Sequence, residues 1–173
     1  MATAELSLDE DFASSAEEHL VLTKQRYLGT LAFIERLHRL LLDVVKDEFE
    51  RLGRVDINSV QALLLFNIGE EELTAGELKT RGYYQGSNVS YNLKKLVELG
   101  YLHHERCTAD RRSVRIRLTE KGDEVRKIVD GIYRRHVASF VSNPEFDGES
   151  LAQMNDAMGR LERFWREQIR YIY

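Results

Sequence analysis

Residues 87–95 read Ser-Asn-Val-Ser-Tyr-Asn-Leu-Lys-Lys. At helical spacing Val89, Leu93 and Leu96 fall on one side. Ser87, Asn88, Ser90, Tyr91, Lys94 and Lys95 are then left on the other. Serine hydroxyls and an asparagine amide can hydrogen-bond base edges in a major groove. Lysines one turn later stand where phosphates would lie. Further on, Arg111 and Arg112 sit in a polar segment, 107–113, and are long enough to enter a minor groove. This is the chemistry of reading double-stranded DNA.

Such side chains need a frame, and the flanking sequence supplies one. Thr74 and Glu77 have capping-box spacing and open a short helix through about residue 80, stopped by Gly82. A second helix begins at Ser87 and ends before Gly100. A short capped helix, a glycine-containing turn and a second helix make a helix-turn-helix. Tyr101 to Glu105 alternates weakly. Val114, Ile116 and Leu118 alternate with Arg115 and Arg117, a strand with one apolar and one basic face. The two strands and the tip between them form a hairpin wing. Thr119 caps a further helix to about Val141.

Longer helices flank this unit. Leu20, Tyr27, Leu31, Ile34, Leu37, Leu41, Val44, Val45, Phe49 and Leu52 recur at steps of mostly three and four, predicting one helix over 19–52 that Gly53 ends. It would be about 50 Å long, too long for one side of a small globule. Part of it should therefore pack on a second chain. A helix over 58–68, with Asn58 and Gln61 at capping spacing, is closed by Gly69. A last helix runs from about Ser150, marked by Leu151, Met154, Met158, Leu161, Trp165, Ile169 and Ile172. Its aromatic end (Phe164, Trp165, Tyr171, Tyr173) is most simply read as dimer interface.

The fold class is thus mainly α with a small β-hairpin wing: a winged helix-turn-helix between N- and C-terminal dimerisation helices. The expected organisation is a mobile acidic tail at 1–16, a helical dimerisation region at 17–57 and 123–173, and a DNA-binding domain at 58–122.

Charge supports the placement. The chain is −4 overall, but residues 74–122 hold ten Lys/Arg against five Asp/Glu, a net of +5 that leaves −9 for the remainder. A basic module within an acidic chain is the asymmetry expected where one region meets phosphates. No run of about 18 apolar residues is present, so no membrane span is expected. The acidic start is unlike a secretory signal. The single cysteine, Cys107, cannot form an internal disulfide, and a reducing cytoplasm is the simplest home.

Competing chemistry is weak. There is no Gly-rich phosphate loop, nucleophile elbow or metal-ligand spacing, so no catalytic residue, cofactor or metal is expected. His103 and His104 are adjacent on a strand and point to opposite faces. Cys107 at the base of a wing reads as incidental rather than as a redox switch. The alternative to a regulator is a helical scaffold or adaptor without DNA binding, which would not need a basic wing.

Leu99-Gly100-Tyr101-Leu102, Glu105-Arg106, Asp110-Arg111-Arg112 and Ile116-Arg117-Leu118-Thr119-Glu120-Lys121-Gly122 resemble the MarR family of bacterial regulators. The Asp-Arg-Arg wing followed by Leu-Thr-Glu-Lys-Gly is the most specific part of the match. Segments 58–68 and 86–96 are similar to alphaproteobacterial regulators linked to the cell-wall L,D-transpeptidase. The resemblance implies a homodimer whose first and last helices interlock and whose two lobes read a palindromic operator. It also implies a repressor released by a small lipophilic or phenolic effector. In the wing it implies that Asp110 braces Arg112 or Arg106. Val45, Leu63 and Phe66 lie where family pockets lie and are candidate effector contacts, against the plainer reading of core packing. Tyr83 and Tyr84 would connect such a pocket to the recognition helix. Asn92 stands where the family usually has an apolar residue. Either it is buried and hydrogen-bonded, or the helix is rolled and the outward set shifts by one position.

Overall fold

The computed structural model describes residues 2–74, 77–78, 86–106, 114–144 and 147–172, with side chains at 16–74, 77–78, 90–105, 115–144 and 147–170. In chain order the elements are α1 (Ala2–Arg51), α2 (Ser59–Ile68), β1 (Leu73–Thr74), α3 (Gly86–Glu98), β2 (Leu102–Arg106), β3 (Val114–Leu118), α4 (Glu120–Val141) and α5 (Gly148–Ile172). The mainly helical class with a small sheet agrees with the sequence reading.

Two elements differ from expectation. The first helix starts at Ala2 rather than at residue 19. No Gly or Pro occurs before Gly29 to interrupt it, and the early acids Glu5, Asp9, Glu10 and Asp11 favour a helix N-terminus. At 1.5 Å per residue its 50 residues extend about 75 Å. The hairpin also gains a third strand. The sheet order is β1-β3-β2, all antiparallel, with Leu73 opposite Ile116 and Leu102 opposite Leu118. At two residues β1 is too short to show an alternation in sequence.

The chain divides into two compact units, Met1–Val60 and Gln61–Tyr173. In the first, Val45, Phe49 and Ile57 are buried. Another face of α1 is uncovered: Phe33, Leu37, Leu40 and Val44, at steps of four, three and four, remain 58, 53, 58 and 38% exposed. In the second unit the core joins the ends of several elements. Leu64, Leu65 and Ile68 of α2, Leu93 and Leu96 of α3, Tyr101, Ile116 of β3, and Val125, Val129 and Ile132 of α4 are all buried. On α5, Met154, Met158, Phe164 and Ile169 stay exposed.

The β3–α4 junction shows why Gly122 occupies its position. Thr119 caps α4, its hydroxyl accepting from the Gly122 amide at 3.1 Å. The Thr119 amide in turn donates to the Tyr101 carbonyl at 3.1 Å. The first turn of α4 lies so close to that carbonyl that a Cβ on Gly122 would overlap its oxygen. Gly131, further along α4, meets only the mobile end of Arg135 at 3.7 Å. Gly122→Ala should therefore cost about 1–3 kcal/mol through backbone displacement. Gly131→Ala should gain about 0.5–1 kcal/mol of helix stability. Urea unfolding at one fixed protein concentration checks the pair; equal midpoint shifts would contradict the close approach.

Candidate nucleic-acid interface

The exposed side of α3 depends on what its other side buries. Leu93 is 7% exposed and Leu96 is fully buried, while Val97 is half-buried. Opposite them Ser90, Tyr91, Lys94 and Lys95 are exposed, Tyr91 at 70%. Asn92 is half-buried and is not without a partner. The backbone of Ser87 and Asn88 lies within α3, but their side chains fall outside the described residues. So do Arg111 and Arg112, with Asp110 and Cys107, and Tyr83 and Tyr84, which precede α3 in sequence.

Both ends of the helix-turn-helix carry local hydrogen bonds. The Thr74 amide donates to the Glu77 carboxylate at 2.7 Å and the Glu77 amide to the Thr74 hydroxyl at 3.1 Å, a reciprocal capping box. Glu77 and Leu78 are helical, and the other positions of the short helix expected from the sequence, Ala75, Gly76, Lys79 and Thr80, fall outside the described residues. At the far end Gly100 takes φ +76°, the left-handed region that glycine enters without steric cost. Its amide donates to Val97 at 3.0 Å and the Tyr101 amide donates to Leu96 at 2.8 Å, closing a Schellman motif.

The cations of this surface are paired with acids, loosely. Lys94 and Lys95 lie 4.0 and 3.8 Å from Glu98. On the outward face of β3, Arg115 is 3.4 Å from Glu72 and Arg117 is 3.9 Å from Glu105. All four cationic side chains are roughly half exposed or more, from 48% for Lys95 to 79% for Lys94. Exposed pairs of this kind are worth about 0–1 kcal/mol. Pairs this weak leave the four cationic groups open to exchange with another anion.

A tighter network, which the sequence reading did not anticipate, braces the sheet's exit. Arg126 of α4 is only 16% exposed and bonds Glu70 at 2.8 Å and Asp123 at 2.7 Å. Lys127 reaches the second oxygen of Asp123 at 2.7 Å. Arg126 thereby ties Glu70, the residue after Gly69, to the first turn of α4. Arg126 and Lys127 lie three and four residues after Asp123, a spacing that helix-face pairing rules would have exposed. Of the candidate effector residues, Val45 is fully buried and Leu63 is 8% exposed. Phe66 is half-buried and meets Tyr133 edge-on at 5.0 Å.

Residues 57–122 match the family model of a winged helix DNA-binding domain. The chain is 36% identical over 149 residues to the exopolysaccharide II synthesis transcriptional activator ExpG of Rhizobium meliloti, a match covering 84% of this chain and 74% of that protein. Its fold is similar to Streptococcus pneumoniae FabT, solved in complex with DNA, with a TM-score of 0.65, 19% identity, and coverage of 82% of this chain and 98% of that one. It is likewise similar to Staphylococcus aureus MarR, solved in complex with salicylate and kanamycin, at a TM-score of 0.65, 20% identity, and coverage of 84 and 94%.

Hydrogen bonds from Lys127 and then Arg126 hold the Asp123 carboxyl below its ordinary value. A depressed carboxylate adds stability above the unfolded-state value of about 4, lost as pH falls through the lower folded value. Asp123→Asn should thus be less stable than the parent at pH 7. The gap should narrow steadily below about pH 4. Denaturation midpoints of both proteins across that range test this, and a pH-independent gap would remove the network from the account.

Proposed function

Because the chain belongs to the MarR family of winged helix-turn-helix DNA-binding transcription regulators, we propose that it acts as a homodimer on a palindromic operator and releases it when a small effector binds. The observation that carries the DNA reading is the division of α3, with Leu93 and Leu96 buried and Ser90, Tyr91, Lys94 and Lys95 turned to solvent. In this reading Ser87, Asn88, Ser90 and Tyr91 address base edges, and Lys94 and Lys95 address phosphates. Arg111 and Arg112 enter the neighbouring minor groove. That Streptococcus pneumoniae FabT was solved in complex with DNA supports the same use of the fold.

The homodimer rests on apolar surface with no cover in one chain. Phe33, Leu37, Leu40 and Val44 of α1 and Met154, Met158, Phe164 and Ile169 of α5 make stripes too long and too apolar for a solvated surface. Two copies place two recognition helices about 34 Å apart, one helical turn of DNA. The effector would be small and lipophilic or phenolic. The salicylate complex of Staphylococcus aureus MarR supports that class. A ligand changes operator affinity only through a difference in its own affinity for the two states.

The family resemblance favours repression. The name of the Rhizobium meliloti relative favours a second reading, activation. Both use the same protein–DNA contacts, and a reporter fused to a bound promoter separates them.

Two experiments test the proposal. In a mobility-shift assay on genomic fragments, the protein should select specific fragments at moderate salt, and its affinity should fall steeply as salt rises. Arg112→Ala should lower that affinity by about 1–3 kcal/mol. Failure to select any fragment would leave the scaffold reading, and an unchanged Arg112→Ala would take the wing out of the interface. In sedimentation equilibrium the parent should run as a dimer and Leu37→Glu/Leu40→Glu as a monomer with weakened fragment binding. A parent that stays monomeric at micromolar concentration would exclude the two-helix reading of a palindrome.

A further inference from the structure

We infer that Lys121 is a positioning residue that locks the exit of α3, rather than one of the cations that meet phosphate. Its ammonium donates to the Leu99 carbonyl at 3.1 Å and stands 4.0 Å above the centroid of the Tyr101 ring. Tyr101 is fully buried. Two residues earlier the Thr119 hydroxyl donates to the Gly100 carbonyl at 2.8 Å. The Thr119 amide takes the next carbonyl, that of Tyr101, at 3.1 Å. Three successive carbonyls, at residues 99, 100 and 101, therefore receive donors from one short segment about twenty residues away in sequence.

Carbonyls just past a helix end lack intrahelical partners, and the C-terminal end of the dipole favours a cation. Lys121 meets both needs for α3, and the Tyr101 face adds a cation–π contact to hold the ammonium in place. The Schellman turn at Gly100 would close without it. What Lys121 adds is a connection: the turn after α3 is joined to the first turn of α4, whose close approach Gly122 permits. The direction in which Ser90, Tyr91, Lys94 and Lys95 project is then set relative to α4.

The inference rests on the DNA-binding reading above, and its test separates the two. The probe is the genomic fragment that the full-length parent selects, with random-sequence duplex as the non-specific reference. Lys121→Met keeps the length of the side chain and its packing on Tyr101 but removes the donor and the charge. It should lower affinity for the selected fragment on the order of tenfold, the equivalent of one charge-assisted hydrogen bond. Its affinity for random duplex and the slope of log affinity against log salt should match the parent. Lys121→Arg, which keeps a cation and a donor, should recover most of the loss. A salt slope shallower by about 0.9 per Lys121 lost would make the residue a phosphate contact and overturn the inference. So would an unchanged preference for the selected fragment, or equal losses on both duplexes. A parent that selects no fragment fails the DNA-binding reading itself, whatever Lys121 does. Amide exchange at Tyr101 in the free protein gives a reading that needs no DNA: it should be faster in Lys121→Met and near parental in Lys121→Arg.

Discussion

The burial of Leu93 and Leu96 governs the rest of the candidate interface. Two side chains three residues apart on α3 enter the same core as Tyr101, Ile116 and the apolar face of α4. Their removal from water is worth about 1.5–3 kcal/mol each. A roll of the helix by one residue, about 100°, would bring a leucine to the surface and a lysine toward the core. That penalty exceeds anything a loose ion pair could return. The outward set is therefore fixed by apolar packing, and the polar side chains follow from it. Asn92 sits at the border, half-buried, where an amide can keep a partner without rolling the helix.

The second dependence runs through the β3–α4 junction. Thr119 is at once the last link of the sheet and the cap of α4. Its hydroxyl serves in both directions, donating to Gly100 and accepting from Gly122. Asp123 and Arg126, one turn on, extend the same hold to Glu70 beyond α2. These contacts are polar and local, yet they join segments about 20 to 55 residues apart. Core packing alone leaves helices free to slide by fractions of a turn, since apolar contact is not directional. Directional bonds at the junction remove that freedom.

Much of this was legible in the sequence because it is encoded by periodicity and punctuation. Gly53, Gly69 and Gly100, read as helix ends, all take positive φ. The Thr74–Glu77 box, the Thr119 cap and the alternation of β3 each appear where residue spacing placed them. What was not legible has a common cause. The two-residue strand β1 has no period, and the start of α1 has no stop signal to mark it. The lock by Lys121 is a contact across 22 residues, and sequence spacing carries no signal at that range. Family resemblance did flag Thr119-Glu120-Lys121-Gly122 as a motif, but without a reason for it. In the sequence Lys121 otherwise enters only the sum of ten basic residues over 74–122, and a sum of charge carries no geometry.

The distribution of charge bears on how an acidic chain can approach DNA at all. With −4 overall and +5 within 74–122, attraction exists only in orientations that present the basic segment. The acids Glu98, Glu72 and Glu105 lie within 4.0 Å of Lys94, Lys95, Arg115 and Arg117. In the free protein they partly cancel the field of those cations, which weakens attachment to any phosphate surface. On a phosphate backbone the exchange costs at most about 1 kcal/mol per pair, and counterion release drives it. Such screening lowers affinity for every sequence equally, so it leaves selection to the groups that touch base edges. In that reading the acidic partners set how tightly the protein holds any duplex, while the difference between one sequence and another stays with the groups that touch base edges.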